Sequence, residues 1–177
     1  MLITAIFILC FMSAVTAIPC KDVNLQSDVD YTKVKGEWWQ ARHSHESRYS
    51  EFSCFDTRIF GVNTEHKLFY MQEVASETRP RIGTVQLLLM STMCWGSCVS
   101  EREVNIEGRL ATDYDNYLII YQCDEKNQAV IDLELKKGVD ALSVEKINEV
   151  DQIIKKIGMD YWSLAERNRG NCPSPKR

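Results

Sequence analysis

The chain has 177 residues, a formal net charge of -4 and a sequence pI near 5.4. Charges of both signs are interspersed along the sequence, so there is neither a basic stripe for nucleic acid nor a polybasic segment for an anionic membrane surface. About 160 residues remain once an N-terminal leader is set aside, enough for one domain with a sizeable core and too few for two.

That leader is residues 1–17, MLITAIFILCFMSAVTA, a short apolar run ending in Val15-Thr16-Ala17, the small residues a signal peptidase needs. It carries no Lys or Arg, yet it is shorter than the roughly 20 apolar residues of a membrane span, and no second span follows. The expectation is a cleaved secretory signal and one domain over 18–177, with no Asn-x-Ser/Thr glycosylation acceptor in it. From Cys20 to Thr32 the chain is polar and irregular, suited to wrapping across the closed end of a barrel. Strand-like runs follow at 37–43, 52–61, 66–74, 81–89, 90–95, 100–110, 117–123 and 128–136, as many as an eight-stranded up-and-down barrel requires. One segment changes period: Val144, Ile147, Val150, Ile154 and Ile157 recur at helical steps. Ser143 as N-cap, Lys155 and Lys156 at the far end and Gly158 just beyond predict one amphipathic helix over 144–157.

Few residues suggest reaction chemistry. His43 and His45 alternate on one strand face, but no Cys or carboxylate spacing completes a metal site, and a surface pair is the simpler reading. His66 has the residue type of a strand haem ligand without the accompanying spacing. Cys94 and Cys98 enclose three residues rather than the two of a redox motif, and Glu101 with Glu103 is ordinary on a solvated strand. There is no G-x-S-x-G elbow, no H-E-x-x-H and no phosphate-cradling glycine loop, so neither an enzyme nor a bound cofactor or metal is expected. Trp39, Trp95 and Trp162 read as packing residues rather than a base-stacking platform. With Cys10 removed among seven cysteines, six remain, an even set that reads as disulfides in an exported chain while leaving their connectivity open.

Two short motifs carry a family resemblance. Gly36-Glu37-Trp38 opens the first strand, and Thr112-Asp113-Tyr114-Asp115-Asn116-Tyr117 precedes a late strand ahead of Cys123. In order and spacing they resemble the two signatures of lipocalins, and with the cysteines they look most like insect lipocalins related to a cockroach allergen. The resemblance implies an all-β fold with one C-terminal helix: an eight-stranded antiparallel up-and-down β-barrel, or calyx, that binds a small ligand and does no catalysis. It implies the disulfides Cys20–Cys123 and Cys54–Cys172, which leaves Cys94 and Cys98 for each other across a Gly-containing turn. It also implies that Trp38, beside Gly36, seals the barrel's base beneath a stacked cation. Lipocalins commonly use arginine there; the nearest residue here is Lys136, or Lys137, which lacks the planar guanidinium. The group is associated with biogenic amines, and neighbouring insect groups with pheromones, bilins or haem.

Alternation in the last strand sets Val130, Asp132, Glu134 and Lys136 on one face and Ile131, Leu133 and Leu135 on the other. The simple reading turns the apolar set inward. If the helix covers that strand from outside, the apolar set lies beneath it and Asp132 and Glu134 face the cavity, where a carboxylate is costly unless a cation such as an ammonium ligand pairs with it. Outward cysteines at 54 and 123 would place Phe55, Thr57 and Ile59 inside opposite Leu118, Ile120 and Gln122. The expected protein is a secreted, extracellular carrier or scavenger of a small hydrophobic molecule or biogenic amine. The alternative is a secreted binder of a protein partner, such as a protease or host factor, through its open-end loops.

Overall fold

The computed structural model describes residues 18–45, 47, 50–79, 83–95, 106–167 and 172. The expected leader, Cys98, Glu101 and Glu103 lie outside them. Strands β1 (Gly36–His43), β2 (Cys54–Asn63), β3 (Leu68–Arg79), β4 (Gly83–Trp95), β5 (Ile106–Thr112), β6 (Tyr117–Cys123), β7 (Ala129–Lys136) and β8 (Ala165–Glu166) form one eight-stranded sheet. The sheet closes on itself because β1 pairs with β2 on one side and β7 on the other. Seven strands make the ring, and β8 adds to the β2-side edge of β1 beyond its β2 pairing, at Arg42 and His43. An odd ring cannot close by alternation alone, and the one parallel step is β4 to β5, where Met93 pairs with Ile106 and Trp95 with Gly108.

Two strand expectations are corrected. The runs at 81–89 and 90–95 are one strand, β4, whose ladder with β3 continues unbroken through Leu89. The eighth strand is instead Ala165–Glu166, too short to show a period.

The helix, α1, runs Val144–Lys155, with the Ser143 hydroxyl accepting from the Lys146 amide and Gly158 at a φ of 101° just past its end. It is shorter than 144–157, and Val144 is exposed rather than part of the buried face. Val150, Ile154 and Ile157 are fully buried against Ile131, Leu133 and Leu135 of β7 and Ile119 and Tyr121 of β6. Each such side chain contributes about 1.5–3 kcal/mol by leaving water. The outer face of β6–β7 is therefore as apolar as the inside of the barrel. A second cluster lies within: Val34, Trp38, Ile59, Phe69, Met71, Met93, Leu110, Leu118 and Ile120.

The turn between β5 and β6 fastens these layers. The Asp113 carboxylate accepts from the amides of Asn116 (2.8 Å) and Tyr117 (3.1 Å), and the Thr112 hydroxyl donates to the Tyr117 carbonyl at 2.6 Å. From this turn Tyr117 donates to Glu149 of α1 (2.7 Å), Asp113 pairs with Lys146 (3.0 Å), and the Tyr114 hydroxyl accepts from the Asp30 amide (2.7 Å). The irregular N-terminal segment thus runs down the flank of the barrel, burying Leu25 beside α1, before a 3-10 turn at Tyr31–Val34 caps the base. Disulfides tie both ends down, Cys20 to Cys123 and Cys54 to Cys172. Cys94 is also disulfide-bonded. In the chain-entropy account each long-loop bridge stabilises by up to about 4–5 kcal/mol.

Trp38 lies across the base, its indole N–H donating to the Val34 carbonyl at 3.0 Å, and the Lys136 ammonium sits 4.2 Å from the ring centroid. Gly36 makes room for it: a Cβ at that position would stand 2.8 Å from the Lys136 Nζ, on a backbone whose φ is 140°. Lys137 instead points outward to Glu37.

Gly36→Ala should destabilise the protein by about 1–3 kcal/mol in urea unfolding. In the Lys136→Ala background that loss should shrink by the part due to the clash while the φ strain persists, so the two effects are non-additive.

Candidate binding site

The position of α1 decides which face of β7 turns inward. Because Ile131, Leu133 and Leu135 lie beneath the helix, Glu134 and Lys136 point into the barrel with Asp132. The simple apolar-inside reading of this strand is thereby corrected, since two apolar layers compete for the same side chains and the helix takes them.

Above the sealed base lies a layer of buried polar groups. Glu134, 1% exposed, accepts a hydrogen bond on Oε1 from the Thr57 hydroxyl at 2.6 Å. Asp132, partly buried, accepts on Oδ1 from Gln40 Nε2 at 2.6 Å and from the Ser47 hydroxyl at 2.7 Å. Across the barrel Glu73 accepts from the Ser91 hydroxyl at 2.5 Å, both side chains being buried. A bulge in β1 between Gln40 and Arg42 lets Gln40 pair with Glu134 while bringing His43 opposite Asp132. Arg167, just beyond β8, is buried at the rim, donates to the Phe52 carbonyl and acts electrostatically on Asp132.

Burial disfavours the ionised form of both β7 acids. It raises Asp132 to about 6, with Glu73 adding to the rise and Ser47, Arg167 and Gln40 opposing it. It raises Glu134 well above the usual carboxylate range; Thr57 opposes, while Asp132, Glu73 and Asp56 reinforce. Burial also lowers His43, aided by Arg167 and His45, although its ring donates to the Ser44 carbonyl at 2.8 Å. Among the described residues, Glu134 Oε2 and Gln40 Oε1 are buried side-chain oxygens without a hydrogen-bond partner.

The wall residues expected inside are placed as follows. Thr57 (2% exposed), Ile59, Leu118 and Ile120 are buried, the last three in the inner cluster. Phe55 belongs to a separate small cluster with Ala75, packed by Phe52 and Leu89. Gln122 is only partly buried and borders a shallow outer pocket beside Cys20 and Cys123. Of the expected surface pair, His43 ends β1 and is buried, which corrects that half, whereas His45 is exposed in the following turn as expected; His66 sits in the turn before β3. No cluster of metal-ligating side chains occurs among the described residues.

Glu73, Gln40, Ser91, Ser47 and Arg167 were missed by the sequence reading. Two had a signal: Glu73 is in phase with Phe69 and Met71 on β3, and Gln40 with Trp38 on β1. Ser47 and Arg167 lie outside the strands that pair around the ring and reach the site only through tertiary folding.

No family model matches the sequence, nor does any curated protein. Solved structures do match in fold. Apocrustacyanin C2 aligns with a TM-score of 0.62 at 15% identity, over 88% of this chain and 92% of its own. The major allergen Per a 4 from cockroaches aligns with a TM-score of 0.59 at 13% identity, over 85% and 94%. The amine binding protein of Rhodnius prolixus, solved as its tryptamine complex, aligns with a TM-score of 0.56 at 12% identity, over 84% and 86%. A barrel closed through β1, sealed by Trp38 and Lys136 and flanked by one helix on β6–β7 is the lipocalin fold, and this chain adopts it.

Proposed function

We propose that this protein is a secreted carrier or scavenger that holds a small amine inside its barrel, with the ligand's ammonium against Glu134. The observation that carries the reading is the Glu134 carboxyl: enclosed, with one oxygen unpartnered, and pushed further up by the nearby acids Asp132, Glu73 and Asp56. A buried carboxylate in such surroundings is costly until a cation joins it. An ammonium brings the missing charge, while Leu118, Ile120 and Ile59 offer the apolar wall for the rest of a small molecule. The amine named in the Rhodnius prolixus complex and the shared fold support this reading without assigning a ligand. Residues 1–17 would be removed as the secretory leader, leaving 18–177 as one domain, and the disulfides suit an extracellular setting. No described helix is long and apolar enough to cross a membrane.

Phe60, Leu88 and Met90 are 48%, 59% and 65% exposed and favour a second reading, in which the barrel wall binds a protein partner.

Calorimetric titration of the oxidised chain with tyramine, octopamine and histamine, beside a fatty alcohol and a bilin, separates these readings. Saturable binding of amines is the expected result, and Glu134→Gln should weaken it by about tenfold or more, the loss of a charge-assisted contact. Binding of the uncharged probes alone overturns the amine reading, and silence from all of them shifts weight to the protein partner.

The raised carboxyls also set a pH dependence. Groups whose folded pKa exceeds the unfolded one bind protons preferentially in the folded state, so they stabilise at acid pH, and that contribution is lost as pH rises through the folded value. For Asp132 the window runs from its ordinary 3.8 to about 6, and Glu134 extends it upward. Thermal unfolding of the ligand-free protein should therefore carry a downward contribution to its stability slope across this window, opposed by the lowered His43, that Asp132→Asn with Glu134→Gln removes, turning the slope upward relative to wild type. An unchanged slope would count against their burial as titrating groups.

A further inference from the structure

The inner site holds two unfilled acceptors on neighbouring strands. Gln40 and Glu134 are register partners of β1 and β7, and each is 1% exposed. Gln40 Oε1 and Glu134 Oε2 have no hydrogen-bond partner, both oxygens being acceptors when the Glu134 carboxyl is ionised. The Gln40 amide is not free to turn its nitrogen toward Glu134. Its Nε2 already donates to Asp132 at 2.6 Å, and the reverse orientation would set its oxygen against that carboxylate oxygen. Ser47 donates to the same Asp132 oxygen and helps hold the arrangement. Asp132 therefore acts as a positioning residue for Gln40.

Building on the amine reading, we infer that Gln40 Oε1 and Glu134 Oε2 form a two-acceptor seat that selects ammonium ligands carrying at least two N–H donors. Primary and secondary ammonium groups can bridge both oxygens. A tertiary ammonium has one N–H and must leave one acceptor buried and bare, and a quaternary one has none. The Trp38 ring, a natural platform for a methylated cation, is already covered by Lys136, so the base offers no second way to hold one.

The test is titration of the oxidised full domain with tyramine and its N-methyl, N,N-dimethyl and N,N,N-trimethyl derivatives at fixed pH. Tyramine and N-methyltyramine should bind within a few-fold of each other. The dimethyl compound should bind about tenfold or more weakly, and the trimethyl compound more weakly still. Gln40→Met should reduce the break between the monomethyl and dimethyl compounds to less than about threefold, whereas Glu134→Gln should weaken the whole series. Equal affinity across the four wild-type complexes overturns the two-donor seat while leaving amine binding intact, and it does so even if Gln40→Met fails to fold. A break that persists in a folded Gln40→Met variant overturns the role of Gln40. Failure of every amine to bind overturns the seat together with the reading on which it rests.

Discussion

The inner chemistry of this barrel depends on one packing choice, the burial of Ile131, Leu133 and Leu135 beneath α1. A strand has two faces and a period of two, so committing one face to the helix commits the other to the interior. Lys136 then reaches Trp38, Glu134 reaches Thr57, and Asp132 reaches Gln40. A one-residue slip would send these polar groups under the helix and the leucines into the cup. Two features oppose such a slip. In this register Gly36 leaves room for the Lys136 side chain over Trp38, and the turn from Thr112 to Tyr117 fixes where β6, and so β7, begins.

The interior is therefore layered rather than uniformly apolar. Ile59, Phe69, Met93 and Leu110 pack around Trp38, and the acids stand above that floor. Packing alone would favour apolar residues at these positions, because a buried carboxyl without a counter-ion is held by shifting its protonation rather than by attraction. A layer of this kind weakens the empty protein and strengthens a complex that supplies positive charge. Stability and affinity are coupled through the same side chains.

The barrel was legible because its signals are local. Alternation marked β1, β2, β6 and β7, the helical period marked α1, and glycine, tryptophan and threonine stood where strand starts and turns require them. The orientation of β7 was not legible from the strand itself, since both faces are consistent with burial and only the helix distinguishes them. Glu73 shows a different limit. Its phase with Phe69 and Met71 marked it as inward, but a single charge in a strand ordinarily reads as a solvent-facing interruption. Arg167 and Ser47 are beyond the reach of periodicity, because their places depend on how the chain returns after β1 and after α1. The split of β4 at Leu89 failed for a similar reason. Its exposed Leu88 and Met90 break the alternation without breaking the ladder.

The two acids of β7 are chemically alike, and their surroundings divide the work between them. Asp132 is served by two donors on one oxygen and feels Arg167, which the tail beyond β8 brings to the rim near the Cys54–Cys172 bridge. Glu134 has one donor, lies deeper, and is pushed further up by Asp132, Glu73 and Asp56. The first is thus a fixed element of the wall, holding Gln40 in one orientation. The second is left with one oxygen unpartnered. On the proposed amine reading one carboxyl orients Gln40 and its neighbour receives the ligand's charge, and the fixed Asp132–Gln40 contact leaves less to be ordered on binding.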